Sequence, residues 1–308
     1  MPYPIHRKLC IAVSSSALFD LTESDAVFRN DGPKAYEKYQ DSNVDRMLDK
    51  GVAFPFVRRF LNINKRFPGD CPVEVVLLSR NSAATGKRVF RSISAYGLDI
   101  TRAAFMAGDS PYPYIPAFNA SLFLSANEVD VLGAIAAGYP GGMVLPTVIE
   151  DDEAEDLMIA FDFDSVIADD ESETVNKTEG LNSFHQYETQ HADIPHKPGP
   201  LADLFKKLSI MQKIEDRALR QDSNYSRIFR TAIITARNAP SHERVINTLE
   251  SWGVSANQTF FLGGVEKQRI LKVLKPHIYF DDQKTHLNSE AGNIPMVHIP
   301  FGIANMKF

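Results

Sequence analysis

The sequence predicts an α/β protein, a parallel sheet covered by helices, with the pattern written twice along the chain. Three observations predict it. Apolar, β-rich runs alternate with helix-period stretches over 308 residues. The run "LCIAVSSSALFD" (residues 9–20) has a second version, "LMIAFDFDSVIADD" (residues 157–170), that differs chiefly in its acids. Further matches between the two halves follow in the same order.

Leu9, Ile11 and Ala12 recur as Leu157, Ile159 and Ala160, a spacing of 148 (157 − 9). At that spacing Val27 meets Val175, Gly32 meets Gly180, Tyr39 meets Tyr187 and Gly51 meets Gly199. "LLSRN" (77–81) then faces "ITARN" (234–238). Val89, Phe90, Ile93, Tyr96 and Gly97 face Val245, Ile246, Leu249, Trp252 and Gly253, and "SLFLSAN" (121–127) faces "HIYFDDQ" (277–283). Strands are expected at 157–161, 228–234, 259–262, 278–280 and 296–299. The clearest helix follows Ser241, an expected N-cap, with Val245, Ile246, Leu249 and Trp252 on one face and Gly253 as its stop. Residues 140–156 hold glycine, proline and an acidic run, and read as a linker with a solvated loop. The expected domains are 1–145 and 152–308.

The net charge is −6, and no basic block suggests nucleic acid or an anionic membrane as a partner. No run approaches the ~20 apolar residues of a membrane span, and the apolar run near the N-terminus is short for a signal peptide. The expected compartment is cytoplasmic. Cys10 and Cys71 have no zinc spacing, and Cys10 reads as a buried small hydrophobe.

The duplication acts as an internal control. Residues needed for folding persist in both halves, whereas residues needed for chemistry persist in one. Asp162 and Asp164 face Ser14 and Ser16, Thr235 faces Leu78, Lys267 faces Pro111, and Asp281 and Asp282 face Ser125 and Ala126. These second-half residues sit at strand ends or just beyond, where parallel α/β sheets bind ligands. Converging carboxylates ~4 Å apart would repel by about 4 kcal/mol per pair at an effective dielectric near 20. A divalent cation together with Lys267 would offset that. Hard oxygen ligands favour Mg²⁺ over zinc.

These residues match a known pattern. "FDFDSVI", Thr235 in "IITAR", Lys267 and "FDDQ" resemble, in order, the four motifs of the haloacid-dehalogenase (HAD) superfamily. "AFPFVRRFLNIN", "SPYPYIPAF", "LFLSAN", "FFLGG" and "IYFDDQ" resemble the cytosolic 5′-nucleotidase I family, over nearly the whole chain. The resemblance implies a HAD-like, Rossmannoid fold with a helical cap insert, at about 170–200, and a degenerate N-terminal copy. It implies a Mg²⁺-dependent phosphatase for nucleoside 5′-monophosphates, AMP foremost. Asp162 would be the nucleophile and Asp164 the general acid and base. Thr235, Ala236 and Lys267 would hold the phosphate. Asp162, the main-chain carbonyl of Asp164, and Asp281 or Asp282 would hold the metal. Phe163 stands where the family usually has Gly, with its side chain expected to point away from the site.

In the insert, Phe184 and Tyr187 are candidates to stack on a base or to pack the insert itself, and Glu188 joins them as a substrate candidate. Arg237 is a candidate substrate contact, although the persistence of Arg80 and Asn81 in the first half points instead to a structural role, such as pairing across the halves. The spacing of His185, His191 and His196 fits no compact metal site. Alternatives are a phosphatase for another small ester, such as a sugar phosphate, or a nucleotide sensor whose N-terminal half binds an effector nucleotide or buries an interface. Self-association is a further expectation.

Overall fold

The apolar runs that open each half form strands buried along their whole length, β1 (Leu9–Val13) and β6 (Leu157–Phe161). In the computed structural model, which describes residues 3–306, two units are separated, Met1–Asp151 and Asp152–Phe308. In the first, β1 is followed by α1 (Ser15–Leu18), α2 (Thr22–Asp31), α3 (Pro33–Ser42) and α4 (Phe54–Arg66). Then come β2 (Val73–Ser79), α5 (Gly86–Ala95), β3 (Arg102–Phe105), β4 (Ala120–Ser125), α6 (Glu128–Ala136) and β5 (Gly141–Val144). All pair in parallel, in the order β3-β2-β1-β4-β5.

In the second unit β6 is followed by α7 (Glu171–Glu179), α8 (Leu181–Gln190) and α9 (Ala202–Gln221). Next are β7 (Phe229–Thr235), α10 (His242–Ser251), β8 (Gln258–Phe261), α11 (Lys267–Leu274), β9 (Ile278–Asp281) and β10 (Met296–His298). Its parallel order is β8-β7-β6-β9-β10. In both units the first strand is central and the chain reverses direction of travel between its third and fourth strands. The ends of the first and fourth strands therefore flank one crevice.

Strands covered on both faces need apolar residues at every position, which these runs supply. In the second unit Phe161 stacks on Phe280 at 5.2 Å and meets Phe205 edge-on at 5.6 Å. In the first, an aromatic cluster forms at other positions, Phe19, Phe54 and Tyr96. Two glycines are required by close approach. A Cβ on Gly199 would stand 2.1 Å from the Ala168 carbonyl oxygen, and one on Gly51 would stand 2.6 Å from the Phe19 amide nitrogen. Cys10 is buried and makes no disulfide.

Several expectations are corrected. Residues 141–144, expected in the linker, form β5, and the Asp151 carboxylate is not solvated but bonded by Lys50, Arg58 and Arg59 at 2.8–2.9 Å. Ser241 does stand at the N-cap position of α10, but with αR backbone angles, and its hydroxyl donates to the Asn238 carbonyl rather than capping the helix. Ile246 is exposed, because at ~100° per residue the stripe through Val245 and Leu249 continues to Arg244 and Thr248 instead. Gly253 does end α10, with a left-handed φ of 65°.

The strand ladder also corrects one correspondence between halves. Val13 pairs with Leu77 and Phe161 with Ile233, so the position equivalent to Thr235 is Ser79, not Leu78. Arg237 accordingly matches Asn81 rather than Arg80. The backbone agrees: Asn81 N–H donates to Ser79 Oγ at 3.1 Å, and Arg237 N–H donates to Thr235 Oγ1 at 3.3 Å.

Candidate active site

Asp162 lies one residue beyond β6, and its N–H is tied to the Phe280 carbonyl at 2.8 Å, so the main chain fixes its place at the strand end. One carboxylate oxygen accepts from the Phe163 N–H at 2.7 Å. The other meets Lys267 Nζ at 2.6 Å. Lys267 is the first residue of α11 and is buried; its ammonium also donates to Asp281 at 2.7 Å. Asp281 ends β9 and also accepts from the Tyr279 hydroxyl, from the Gln283 N–H at 2.8 Å and from His286 Nδ1 at 3.1 Å. Thus Asp162, Lys267 and Asp281, spread over more than a hundred residues of sequence, form one bridged unit.

Asp282 differs from its neighbour. It is 1% exposed, and neither carboxylate oxygen has a hydrogen-bond partner among the described residues. A buried carboxylate without a partner is costly. Burial, and then the charges of Asp162 and Asp281, push its pKa up to about 9. Burial likewise raises Asp162, to about 7, with Lys267 opposing and Asp281 and Asp164 adding to the rise. Burial acts on Asp281 too, but Lys267 and His286 outweigh it and hold that carboxyl below the usual range. Lys267 is held above its ordinary range: burial opposes its charge, and Asp162 and Asp281 more than compensate.

The turn after β6 is strained. Ser165 has φ of 59°, rare outside glycine, and its buried hydroxyl has no partner among the described residues. This turn carries Asp164 away from Asp162 and against Arg237. Phe163 is buried, packs edge-on to His196 and has its ring 5.6 Å from the Arg237 guanidinium carbon, so it too lines the surroundings of Arg237. Thr235 is fully buried at the end of β7; Ala236 follows it, exposed.

Helices α7 and α8 occupy the stretch expected to be an insert. Their polar face meets the site through a buried network. Arg237 donates to both Asp164 oxygens, at 2.8 and 2.7 Å, and to Glu188. Glu188 also accepts from Arg244 at 2.9 Å and Ser172 at 2.6 Å. Burial raises the Glu188 pKa, but His196, Arg237 and Ser172 together hold it well below the usual range. Tyr187 stacks on His191 at 4.0 Å and bonds Glu171, while Phe184 is buried over the Arg237 guanidinium at 5.3 Å. The four residues expected at the substrate are therefore engaged with one another or with the insert. The hydrogen-bond partners of Arg237, namely Asp164, Glu188, Ser241 and His196, belong to the second unit.

Sequence reasoning missed Tyr279, His286, Glu173, His196 and Arg244. Tyr279 was legible in principle, two residues before Asp281 and so on the same strand face. Gln283 Nε2 donates to Glu173 at 3.3 Å, which places an acid of α7 beside the β9 loop. Asp162, Asp281 and His286 offer ligand atoms within 4.8 Å of one another, a nitrogen donor not anticipated. Asp169, Glu171 and His196 form a similar group. There, however, His196 Nε2 already lies 3.1 Å from Arg237 Nη2 and 3.6 Å from Glu188, and Nδ1 lies 3.5 Å from Asp169, so both ring nitrogens face groups of the protein.

Comparison with known proteins follows the same lines. A model of the 5′-nucleotidase family matches residues 1–306. Human (Homo sapiens) cytosolic 5′-nucleotidase 1B is 33% identical over 301 residues, covering 93% of this chain. The chain spans about half, 48%, of that relative's length. No solved structure matches. No helix among the described residues is long and apolar enough to cross a membrane.

Proposed function

Given that the chain belongs to the 5′-nucleotidase family, we propose that its second unit hydrolyses nucleoside 5′-monophosphates, AMP foremost, through an aspartyl-phosphate. The observation that carries this reading is the buried Asp162–Lys267–Asp281 bridge beside an unpartnered Asp282. An Asp162 oxygen attacks phosphorus while the bond from phosphorus to the ribose 5′ oxygen breaks. Asp164 gives its proton to that oxygen. Water then attacks the phosphoryl group, loses its proton to Asp164, and releases phosphate and Asp162. Lys267, Thr235 and the Ala236 backbone hold the phosphoryl oxygens.

The residues fit a hard divalent cation, and Mg²⁺ is our assignment. The Asp282 carboxyl has no hydrogen-bond partner among the described residues and would be a hard oxygen donor once deprotonated, so it is our choice for the direct ligand, with Asp162 and the Asp164 carbonyl. Asp281 is occupied by Lys267, Tyr279 and His286 and holds the lysine in place. Bound there, Mg²⁺ would offset the carboxylate charges and polarise a phosphoryl oxygen. The human relative is named cytosolic, and we extend that compartment to this chain; fractionation tests it.

The test is phosphate release from AMP with Mg²⁺. Asp162→Asn is expected to lower kcat by at least about 10⁴-fold. Unchanged activity sinks the assignment of the nucleophile, and sugar phosphates with higher kcat/KM than every nucleotide sink the substrate class.

We further read the two units as copies of one HAD-like ancestor, on their equal strand order. One observation favours a ligand for the first unit. A cavity of about 260 Å³ lies beyond β1, β4 and β5, lined by Ser16, Asp25, Lys50, Ala126 and Thr147 among others. An effector nucleotide is our candidate. Calorimetry of ADP on the Asp162→Asn protein is expected to give two sites; a single site leaves this unit a scaffold.

A further inference from the structure

Resting on that reading, we propose that Arg237 is a positioning residue for Asp164: it fixes the carboxyl that exchanges a proton with the ribose 5′ oxygen, and is itself fixed by Glu188 of the insert.

The argument begins with donors. An arginine has five N–H groups in a planar fork. Nε and Nη2 each donate to one oxygen of Asp164. The second Nη2 proton goes to His196 Nε2 at 3.1 Å. Nη1 donates to Glu188 and to the Ser241 carbonyl at 3.1 Å. All five are used within the protein, so a phosphate contact would have to break one of these bonds. The side chain is 3% exposed, and its guanidinium carbon lies 5.6 Å from the centre of the Phe163 ring and 5.3 Å from that of Phe184. Three carboxylates, Asp164, Glu188 and Glu171, face Arg237 and Arg244.

Two-point bonding sets both the position and the plane of the Asp164 carboxyl. A proton donor needs that precision, because a displacement of about 1 Å can cost about 10²-fold in rate. Glu188 anchors the far side of the same guanidinium from α8. The insert therefore reaches the reacting atoms through one side chain. The other unit supplies an independent argument. There the position matching Asp164 is Ser16, and the position matching Arg237 is Asn81, bonded to the Tyr36 hydroxyl at 2.9 Å. Where the acid is absent, so is the guanidinium. Arg244, whose matching residue Arg88 is retained, does not follow the acid in this way.

The experiment compares two substrates that differ in one atom: AMP, and AMP with sulfur in place of the 5′ bridging oxygen. An alkoxide must be protonated to leave, whereas a thiolate leaves unprotonated near neutral pH. With AMP, Arg237→Met is expected to lower kcat about 10²-fold, with KM changing less than about 3-fold. With the sulfur-bridged ester the loss is expected to shrink below about 10-fold. Glu188→Gln should show the same discrimination with a smaller loss, and Arg237→Lys, which keeps the charge but not the fork, should fall between. These two variants carry the test if Arg237→Met does not fold. A raised KM with unchanged kcat assigns Arg237 to substrate binding and overturns the proposal. Equal losses on both esters reduce it to a structural residue and also overturn it. A wild type that cleaves neither ester overturns this role and the nucleotidase activity together, whereas equal losses leave the activity standing.

Discussion

β1 and β6 end in opposite ways. After β1, Ser14 caps α1, its hydroxyl accepting from the Ala17 N–H at 3.1 Å, and Ser16 bonds Ser14 at 3.0 Å. Ser15, between them, bonds Ser79 Oγ at 2.9 Å, so three neutral hydroxyls hold the turn. After β6, the chain passes through the left-handed Ser165, and its two acids look outward, Asp162 to Lys267 and Asp164 to Arg237. Where hydroxyls stand in place of the acids and bond one another, no carboxylate is left to build a reactive centre. Where the loop is strained and its acids depend on residues far along the chain, a reactive centre can form, at a cost in stability.

Beside this difference runs a shared frame. In the first unit Arg88 is buried, its Nε donating to the Arg46 carbonyl at 2.8 Å and its Nη1 to Gln40 at 3.3 Å. In the second, Arg244 donates from Nε to the Ile194 carbonyl at 2.8 Å and from Nη1 to Glu188 at 2.9 Å. The partners match position for position, but one is neutral and the other charged. Breaking a buried ion pair costs roughly 3–5 kcal/mol, and losing a hydrogen bond with one charged partner about 1.5–3 kcal/mol. Arg244→Met is therefore expected to lose about 3 kcal/mol or more by denaturant unfolding, and Arg88→Met clearly less. Equal losses would break the comparison.

The next effect is in pH. Asp282 keeps its proton to about 9 when folded, against 3.8 ordinarily, and Asp162 keeps its own to about 7. The unfolded chain releases both protons earlier, so between pH 5 and 8 the metal-free protein should lose stability as pH rises. The loss should be on the order of a few kcal/mol, read as several °C of Tm. Added Mg²⁺ should reverse it, and Asp282→Asn should flatten the slope. Glu188 acts with the opposite sign, its contribution falling away only as pH drops below its ordinary 4.5. A Tm that climbs from pH 5 to 8 in chelator would contradict the orphaned carboxylate.

The smallest effect belongs to the closed turn. Ser14→Ala removes one cap and should cost about 1 kcal/mol, read as a few °C, with phosphate release unchanged. A larger loss of activity than of stability would mean that the first unit reaches the chemistry.

Much of the fold was legible because its signals are local. Leu157–Phe161 is a strand in both readings, and the helix before Gly253 follows from apolar spacing and one glycine. The end of β7 was misread by one residue because "LLSRN" and "ITARN" align best in letters one step out of register, and only the ladder to β1 and β6 shows the shift. In the site, Lys267 was found because its counterpart Pro111 is uncharged. Tyr279, His286 and Glu173 were missed because nothing in their own neighbourhood marks them.

By itself the sequence determined which residues could be strands, where acids interrupt an apolar pattern, and that one half lacks them. Those properties depend on period and spacing along a few residues. Only the tertiary structure decided how the acids are used. Asp164 meets Arg237 across 73 residues, and Lys267 joins Asp162 to Asp281. Asp282, next to Asp281 in sequence, is left without a partner. Burial and pairing assign different states to chemically identical side chains, and both are properties of what the folded chain brings near.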